Sequence, residues 1–139
     1  MRLQAVVNKI NRLNINTLMR SALTKLEPQM ADLNVNQLEE GKTSENKLIK
    51  PKYSAKYGQF KKRIGSKSSP TPDLKLTGKF HEGIFADTKQ DSVEFGSTDK
   101  KEGFLENKYD DIFTLNRSSI KELKPALLME LRKELRRIV

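Results

Sequence analysis

A regular apolar stripe runs through residues 120–138 and constrains the fold more than any other feature of the chain. It consists of Ile120, Leu123, Leu127, Leu128, Leu131, Leu135 and Ile138. Spacings of three and four place these residues on one side of an α-helix, which needs a packing partner. Ser119 and Glu122 fit a capping box at its start. Pro125 removes a helical hydrogen bond, but the stripe keeps its phase across it, which predicts one bent helix rather than two.

A second stripe at the other end predicts amphipathic helices over residues 3–26. It contains Leu3, Val6, Val7, Ile10, Leu13, Leu18, Ala22 and Leu26. We expect an interruption at 14–16, with Asn16 as the N-cap of a second segment, and a stop at Pro28. A short helical piece around 37–40 and a polar loop should follow.

The middle of the chain combines a short helix with extended segments. Residues 47–54 suit a short strand, which Pro51 limits to a sheet edge. Residues 54–65 predict a helix with Ser54 as N-cap and Gly65 beyond its end. Its aromatic and apolar positions fall on one face, namely Tyr53, Tyr57, Phe60 and Ile64.

A β-hairpin is the best-supported sheet element. "GIFAD" (83–87) and "SVEFGS" (92–97) are candidate strands joined by "TKQD" (88–91). Val93 and Phe95 share one face of the second strand, as a half-buried strand requires. The remaining stretch, 100–115, reads as a polar connection followed by a short apolar piece.

The order of elements predicts one α+β domain over residues 1–139. We expect N-terminal helices over residues 1–44. Residues 45–115 should contain the basic helix, a Pro-rich loop and a small antiparallel sheet with a central hairpin. Residues 116–139 should form a C-terminal amphipathic helix. Hydrophobic residues make up 35% of the chain and charged residues 32%, so the core is thin for 139 residues.

Composition narrows the possible functions. With no cysteine, disulfides and thiolate metal sites are excluded. The N-terminal residues lack a continuous apolar signal core and no stretch is apolar enough for a membrane span, so we expect a soluble protein without a membrane partner. The net charge of +9 indicates an anionic partner or a site near nucleic acid.

Residue patterns that support catalysis are scarce. His81 is the only histidine. It lacks a nucleophile motif around it, and a partly exposed position at the start of a strand explains it more simply. Asp110 and Asp111 are adjacent and read as turn residues. We therefore predict a protein that is not an enzyme, without catalytic, metal-ligating or cofactor-binding residues and without a cofactor. An enzyme built around His81 is the alternative to this prediction.

The segment 47–67 is basic throughout. Its candidate basic face, toward DNA or an acidic partner, consists of Lys50, Lys52, Lys56, Lys61, Lys62, Arg63 and Lys67. The interleaved aromatic residues could stack on bases, which would make this a small nucleic-acid-binding protein. Alternatively, their helical spacing marks the buried side of a short helix whose lysines face water.

The order of these features resembles the neck and tail-completion proteins of tailed bacteriophages, within the virion morphogenesis group of minor structural proteins. The resemblance covers about residues 45–138 and rests on "LTGKF" (76–80), "VEFGS" (93–97) and "KYDDIFTL" (108–115). In that group a Thr-Gly pair before a large apolar residue introduces the first strand of the hairpin. A Tyr-x-x-x-Phe-x-Leu segment precedes the last helix, and Tyr109, Phe113 and Leu115 match it.

The resemblance implies a head–tail connector, a virion structural protein made in the host cytoplasm. Such proteins have no cofactor and form homo-oligomeric rings, often six- or twelve-fold, between portal and tail. Their expected partners are portal, connector or tail proteins, with non-specific DNA contact as an option. A candidate assembly surface of loop and hairpin consists of Pro72, Thr77, Gly78, Phe80 and Phe85.

Overall fold

The protein is a mixed helix-and-sheet structure, as the order of elements predicts. The computed structural model describes residues 3–11, 14–63, 72–74, 78–100, 102–109 and 111–138. The elements in chain order are α1 (Leu3–Asn11), α2 (Ile15–Lys25), α3 (Glu27–Glu39), α4 (Ala55–Arg63), α5 (Lys79–Glu82), β1 (Ile84–Thr88), β2 (Val93–Ser97), α6 (Glu102–Lys108) and α7 (Arg117–Ile138).

The N-terminal region contains three helices, and two sequence expectations about it are wrong. Asn14, not Asn16, caps α2, because its side chain accepts hydrogen bonds from the Asn16 and Thr17 amides. Pro28 does not end the helical region but lies in the first turn of α3, where a missing N–H leaves no helical bond unmade. The short piece expected at 37–40 is therefore the end of a helix of 13 residues.

Helix α3 passes through the centre of the structure. Its buried positions recur at helical spacing, and they are Met30, Leu33, Asn34, Gln37 and Leu38. One apolar cluster around Leu38 includes Ile49, Phe80 and Ile112, and a second around Met30 includes Ala86, Leu115 and Leu123. The helix thereby connects the hairpin to the C-terminal helix.

The hairpin is confirmed. Strands β1 and β2 pair antiparallel, with Phe85 opposite Gly96 and Asp87 opposite Glu94. A Cβ atom at Gly96 would lie 2.9 Å from the Phe85 ring, so the glycine in "VEFGS" makes room for that ring. Ala86 faces the core, and therefore Phe85 and Asp87 point to the opposite side.

Three short segments differ from the sequence expectations. Residues 47–54 form no strand and contribute one isolated bridge, between Lys42 and Leu48. The polar connection after the hairpin contains the helix α6, whose charged composition gave no apolar period to detect. Gly78, at φ 89°, is followed by the helix α5 and not directly by the first strand, as the Thr-Gly pattern had implied.

Helix α7 is continuous over 22 residues with Pro125 inside it, as the unbroken phase of the stripe predicts. Its N-terminal cap is Asn116, whose Oδ1 accepts a 2.9 Å hydrogen bond from the Ser119 amide, so the expected capping box at Ser119 is wrong. The Ser119 hydroxyl instead donates to Gln37 Oε1 at 2.8 Å. Gln37 Oε1 also accepts from the Asn116 amide at 2.8 Å, which fixes the start of α7 against α3.

Candidate binding surfaces

The basic segment divides into an exposed and a buried part. Of the seven candidate residues in it, five are exposed, namely Lys50, Lys52, Lys56, Lys62 and Arg63. Lys67 lies outside the described residues. Helix α4 carries three of the five, and its start is fixed by a 3.1 Å hydrogen bond from the Tyr57 amide to Ser54 Oγ, as the sequence predicts. We call these five exposed cations the basic face.

Lys61 does not belong to the basic face, contrary to the sequence expectation. It is 1% exposed, and its Nζ lies 2.7 Å from Asp73 Oδ1. The same ammonium lies 4.8 Å from the centre of the Tyr53 ring, within the range of a cation–π contact. A buried lysine needs a carboxylate, and segment 72–74 supplies one.

The segment 72–74 is held from three sides. Besides Lys61, the Tyr53 hydroxyl accepts a 3.1 Å hydrogen bond from the Leu74 amide. His81 Nε2 lies 2.7 Å from the Asp73 carbonyl oxygen and donates to it. Burial raises the pKa of Tyr53 above its ordinary range, so this hydroxyl stays protonated. Pro72, the first residue of this segment, is itself fully buried.

His81 is buried in α5, so the expectation of a partly exposed position at the start of a strand is wrong. Its Nδ1 lies 3.8 Å from Glu39 Oε1 at the end of α3. Together with the bond to the Asp73 carbonyl, this geometry gives the imidazole a positioning role between α3 and segment 72–74.

The candidate assembly surface of loop and hairpin does not form one exposed patch. Pro72 and Phe80 are buried, and Phe80 packs near Phe113 with ring centres 5.9 Å apart. Gly78 is also buried, and Thr77 lies outside the described residues. Phe85 alone of the four described residues is partly accessible, because it points away from the core. Large apolar side chains in this region serve the interior, which their sequence spacing could not reveal.

One aromatic residue of α4 faces solvent. Phe60 is 43% exposed, whereas Tyr53 and Tyr57 are half-buried with ring centres 4.8 Å apart. Helical geometry places Phe60 between Lys56 and Arg63 on the exposed side of α4. This arrangement of two cations around one accessible ring suits a stacked base between phosphates.

The terminal helices leave large apolar side chains uncovered. On α7, Ile120 is 44%, Leu128 53% and Leu135 39% exposed, so the stripe is only partly buried. On α1, Leu3 is 78% exposed. The sequence stripe predicted burial for these positions, but the described elements cover them only in part.

Negative charge concentrates on the solvent-facing side of the hairpin. Asp87 and Glu94 are cross-strand partners on that side, and like charges in this position repel. Lys89 bridges them, with its Nζ 2.7 Å from Asp87 Oδ2 and 4.0 Å from Glu94 Oε2. The hydrogen bond with Asp87 raises the pKa of Lys89. Sequence reasoning passed over these carboxylates because their grouping depends on strand register.

An open cleft of about 210 Å³ lies between α2 and the hairpin turn. Met19, Leu23 and Val93 provide apolar lining, while Arg20 and Asp91 bring opposite charges. A cleft of this composition can accept a protruding side chain but specifies no ligand chemistry.

The described residues contain neither a candidate metal site nor a candidate membrane span. No group of three or more His, Asp or Glu side chains is placed there to hold a metal ion. None of the described helices is both long and apolar enough to cross a membrane.

The chain matches no family model, no curated protein and no solved structure.

Proposed function

We propose that this protein is a structural component of a tailed-phage virion, a neck or tail-completion protein that assembles as a homo-oligomeric ring between portal and tail. The observation that carries the proposal is the uncovered apolar surface of the terminal helices, with Leu3, Ile120, Leu128 and Leu135 exposed. Apolar side chains in contiguous exposed rows are typical of surfaces that a protein partner covers. The resemblance over residues 45–138 supplies the type of assembly.

Several features are compatible with this role. The hairpin lies between helical regions, and in the sequence the Thr-Gly pair precedes the large apolar Phe80, which here lies in α5 and not in the first strand. In the Tyr-x-x-x-Phe-x-Leu segment, Tyr109 is buried in the cluster with Ile84 of the hairpin and Leu115 in the cluster with Leu123 of α7, so this segment links hairpin and helix. Partners in the proposed assembly are further copies of this chain and portal, connector or tail proteins.

The experiment is a proteomic and imaging analysis of purified particles of the virus that encodes the chain. We expect several copies per particle, located where head and tail join. Deletion of the gene should leave heads and tails that do not join. Particles that lack the protein and remain infectious would contradict the proposal.

A second candidate function is nucleic-acid binding by the basic face. The observation in its favour is Phe60, which is exposed between Lys56 and Arg63 on α4. Phosphate contacts by lysine and arginine make binding strongly salt-dependent, and ring stacking adds affinity for single strands. Affinity of the monomeric chain for DNA at physiological salt separates the two functions.

A further inference from the structure

The apolar stripe of α7 and the side of α7 that packs on the protein do not coincide. Ser119, Leu123 and Glu134 are buried and define the packed side. At about 100° per residue, the exposed Ile120, Leu128 and Leu135 lie roughly 110° around the helix from that side. These three side chains form an uncovered row about 22 Å long, given a rise of about 1.5 Å per residue.

Cations line the same part of the helix. Five exposed basic residues share with the apolar row a sector of about 160° of the helix circumference. They are Arg117, Lys121, Lys124, Arg132 and Arg136. None of them forms an ion pair within the described part of the chain, and the three glutamates of α7 fall outside the sector. We call this row and its cations the cationic flank of α7.

The hairpin offers a surface of opposite sign. Its outer face, opposite the core, carries Phe85, Asp87 and Glu94. Glu102 of α6 adds a carboxylate, since a Cβ atom at Gly96 would lie 3.1 Å from Glu102 Oε1. Lys89 offsets one of these three negative charges, so that a surplus remains around a partly accessible aromatic ring. We call this surface the acidic hairpin face.

We infer that the cationic flank of α7 docks on the acidic hairpin face of a second copy of the chain. This inference rests on the proposed function, for which it names the contact between copies. The two surfaces are complementary in charge, and each contains apolar groups that association would cover. They belong to different elements, and a copy that gives its flank to one neighbour and its hairpin face to another makes a head-to-tail contact. Such a contact gives a ring when the rotation between copies closes.

The composition of the flank favours a protein surface over nucleic acid or lipid. A phosphate backbone gains nothing from a row of exposed isoleucine and leucine, whereas a protein face with an aromatic ring does. A lipid-binding helix typically adds tryptophan or phenylalanine to its apolar side, and the exposed row of α7 contains neither. The chain itself carries the complementary acidic face, which makes a second copy the occupant that these observations support.

The test uses charge reversal on the full-length chain. The flank variant carries Lys121→Glu, Lys124→Glu and Arg132→Glu, and the hairpin variant carries Asp87→Lys and Glu94→Lys. A control with Lys50→Glu, Lys52→Glu and Lys56→Glu makes the same charge change as the flank variant at exposed lysines outside the contact. Circular dichroism verifies that each variant folds, and sedimentation velocity measures association at low and at physiological salt.

We expect the wild type and the control to associate, with association weakening as salt rises. Each reversal variant alone should associate at least about tenfold more weakly, because like charges then face each other. An equimolar mixture of the flank and hairpin variants should associate again, since each supplies the partner surface that the other lacks. Rescue in the mixture distinguishes this contact from a general effect of charge.

Three results would overturn the inference. They are unchanged association of both variants, no rescue in the mixture, and a wild type that stays monomeric up to about 100 µM. If the wild type is such a monomer and the flank variant loses DNA binding or flotation with anionic vesicles, the flank binds those ligands instead. Particle analysis decides the proposed function separately. If the protein forms rings in the virion and these substitutions do not change the rings, the proposed function stands and the inferred contact is wrong.

Discussion

Lys61 and Asp73 form a buried ion pair that joins α4 to segment 72–74, with Nζ and Oδ1 2.7 Å apart. The pair brings a lysine of the basic segment into contact with the aspartate of the Pro-Thr-Pro-Asp sequence. The lysine needs the aspartate as a counter-charge, and the aspartate brings its neighbours Pro72 and Leu74 into the core.

The first prediction concerns this pair. Asp73→Asn leaves Lys61 buried without a counter-charge and should cost about 3–5 kcal/mol of unfolding free energy. The double variant Lys61→Met, Asp73→Leu removes both charges and should recover most of that loss, because it leaves no buried ion unpaired. Urea unfolding of wild type and both variants provides the measurement. An equal loss in the single and double variants would show that the aspartate acts through something other than charge pairing.

The second prediction concerns stability in acid. Glu134 of α7 is buried and accepts a hydrogen bond from Lys25 Nζ of α2 at 2.5 Å, which lowers its pKa below the ordinary value of 4.5. Arg137, at 2.7 Å, acts in the same direction. Folding therefore stabilises the ionised form of the Glu134 carboxyl group. This stabilisation is present above pH 4.5 and is lost as the pH falls through the folded-state pKa.

Glu134→Gln should remove this contribution. Relative to wild type, its unfolding free energy should be reduced most near neutral pH, and the difference should shrink as the pH falls below 4.5. Lys133→Gln on the exposed side of the same helix serves as control and should change little. A constant difference between wild type and Glu134→Gln across the acid range would contradict the assignment.

The third prediction separates the two sides of the α7 stripe. Leu123 is buried in the cluster with Met30 and Ala86, so Leu123→Ala should cost about 2–5 kcal/mol of unfolding free energy. Leu128 is exposed, and Leu128→Ala should change the monomer by at most about 0.5 kcal/mol. Thermal or urea unfolding at low protein concentration measures both. Similar losses in the two variants would mean that the stripe is buried over its full width.

The sequence predicted element types better than the partners of their side chains. Periods of two and of 3.6 residues were sufficient for the hairpin and for α7, including its continuity through Pro125. The stripe could not reveal which of its edges is buried, since that depends on how α2 and α3 pack against it. For this reason Leu135 was expected inside and is exposed.

Polar residues account for most of the remaining differences. Asn14 and Asn116, and not the predicted Asn16 and Ser119, cap their helices, since a cap depends on the chain direction before the first turn. Lys61 was assigned to a basic surface because its partner, Asp73, lies 12 residues further along the chain, outside any helical or strand period. Local patterns contain no information about such pairs.

The fourth prediction concerns DNA. If the proposed function holds, the monomeric chain should bind duplex and single-stranded DNA with a Kd above about 1 µM at physiological salt, within the range of non-specific binding. Lys56→Gln, Lys62→Gln and Arg63→Gln together should weaken this binding and flatten its salt dependence. Phe60→Ala should change single-strand affinity little. Submicromolar binding that the triple variant abolishes would favour the nucleic-acid function instead.

The most direct test of the central claim is the copy number and position of this protein in purified virus particles. Quantitative mass spectrometry gives the copies per particle, and electron microscopy of particles with a tagged chain gives their position. We predict a fixed multiple-copy number, with the tag in a ring at the junction of head and tail. Particles that contain none of the protein, while the protein accumulates free in infected cells, would contradict the claim.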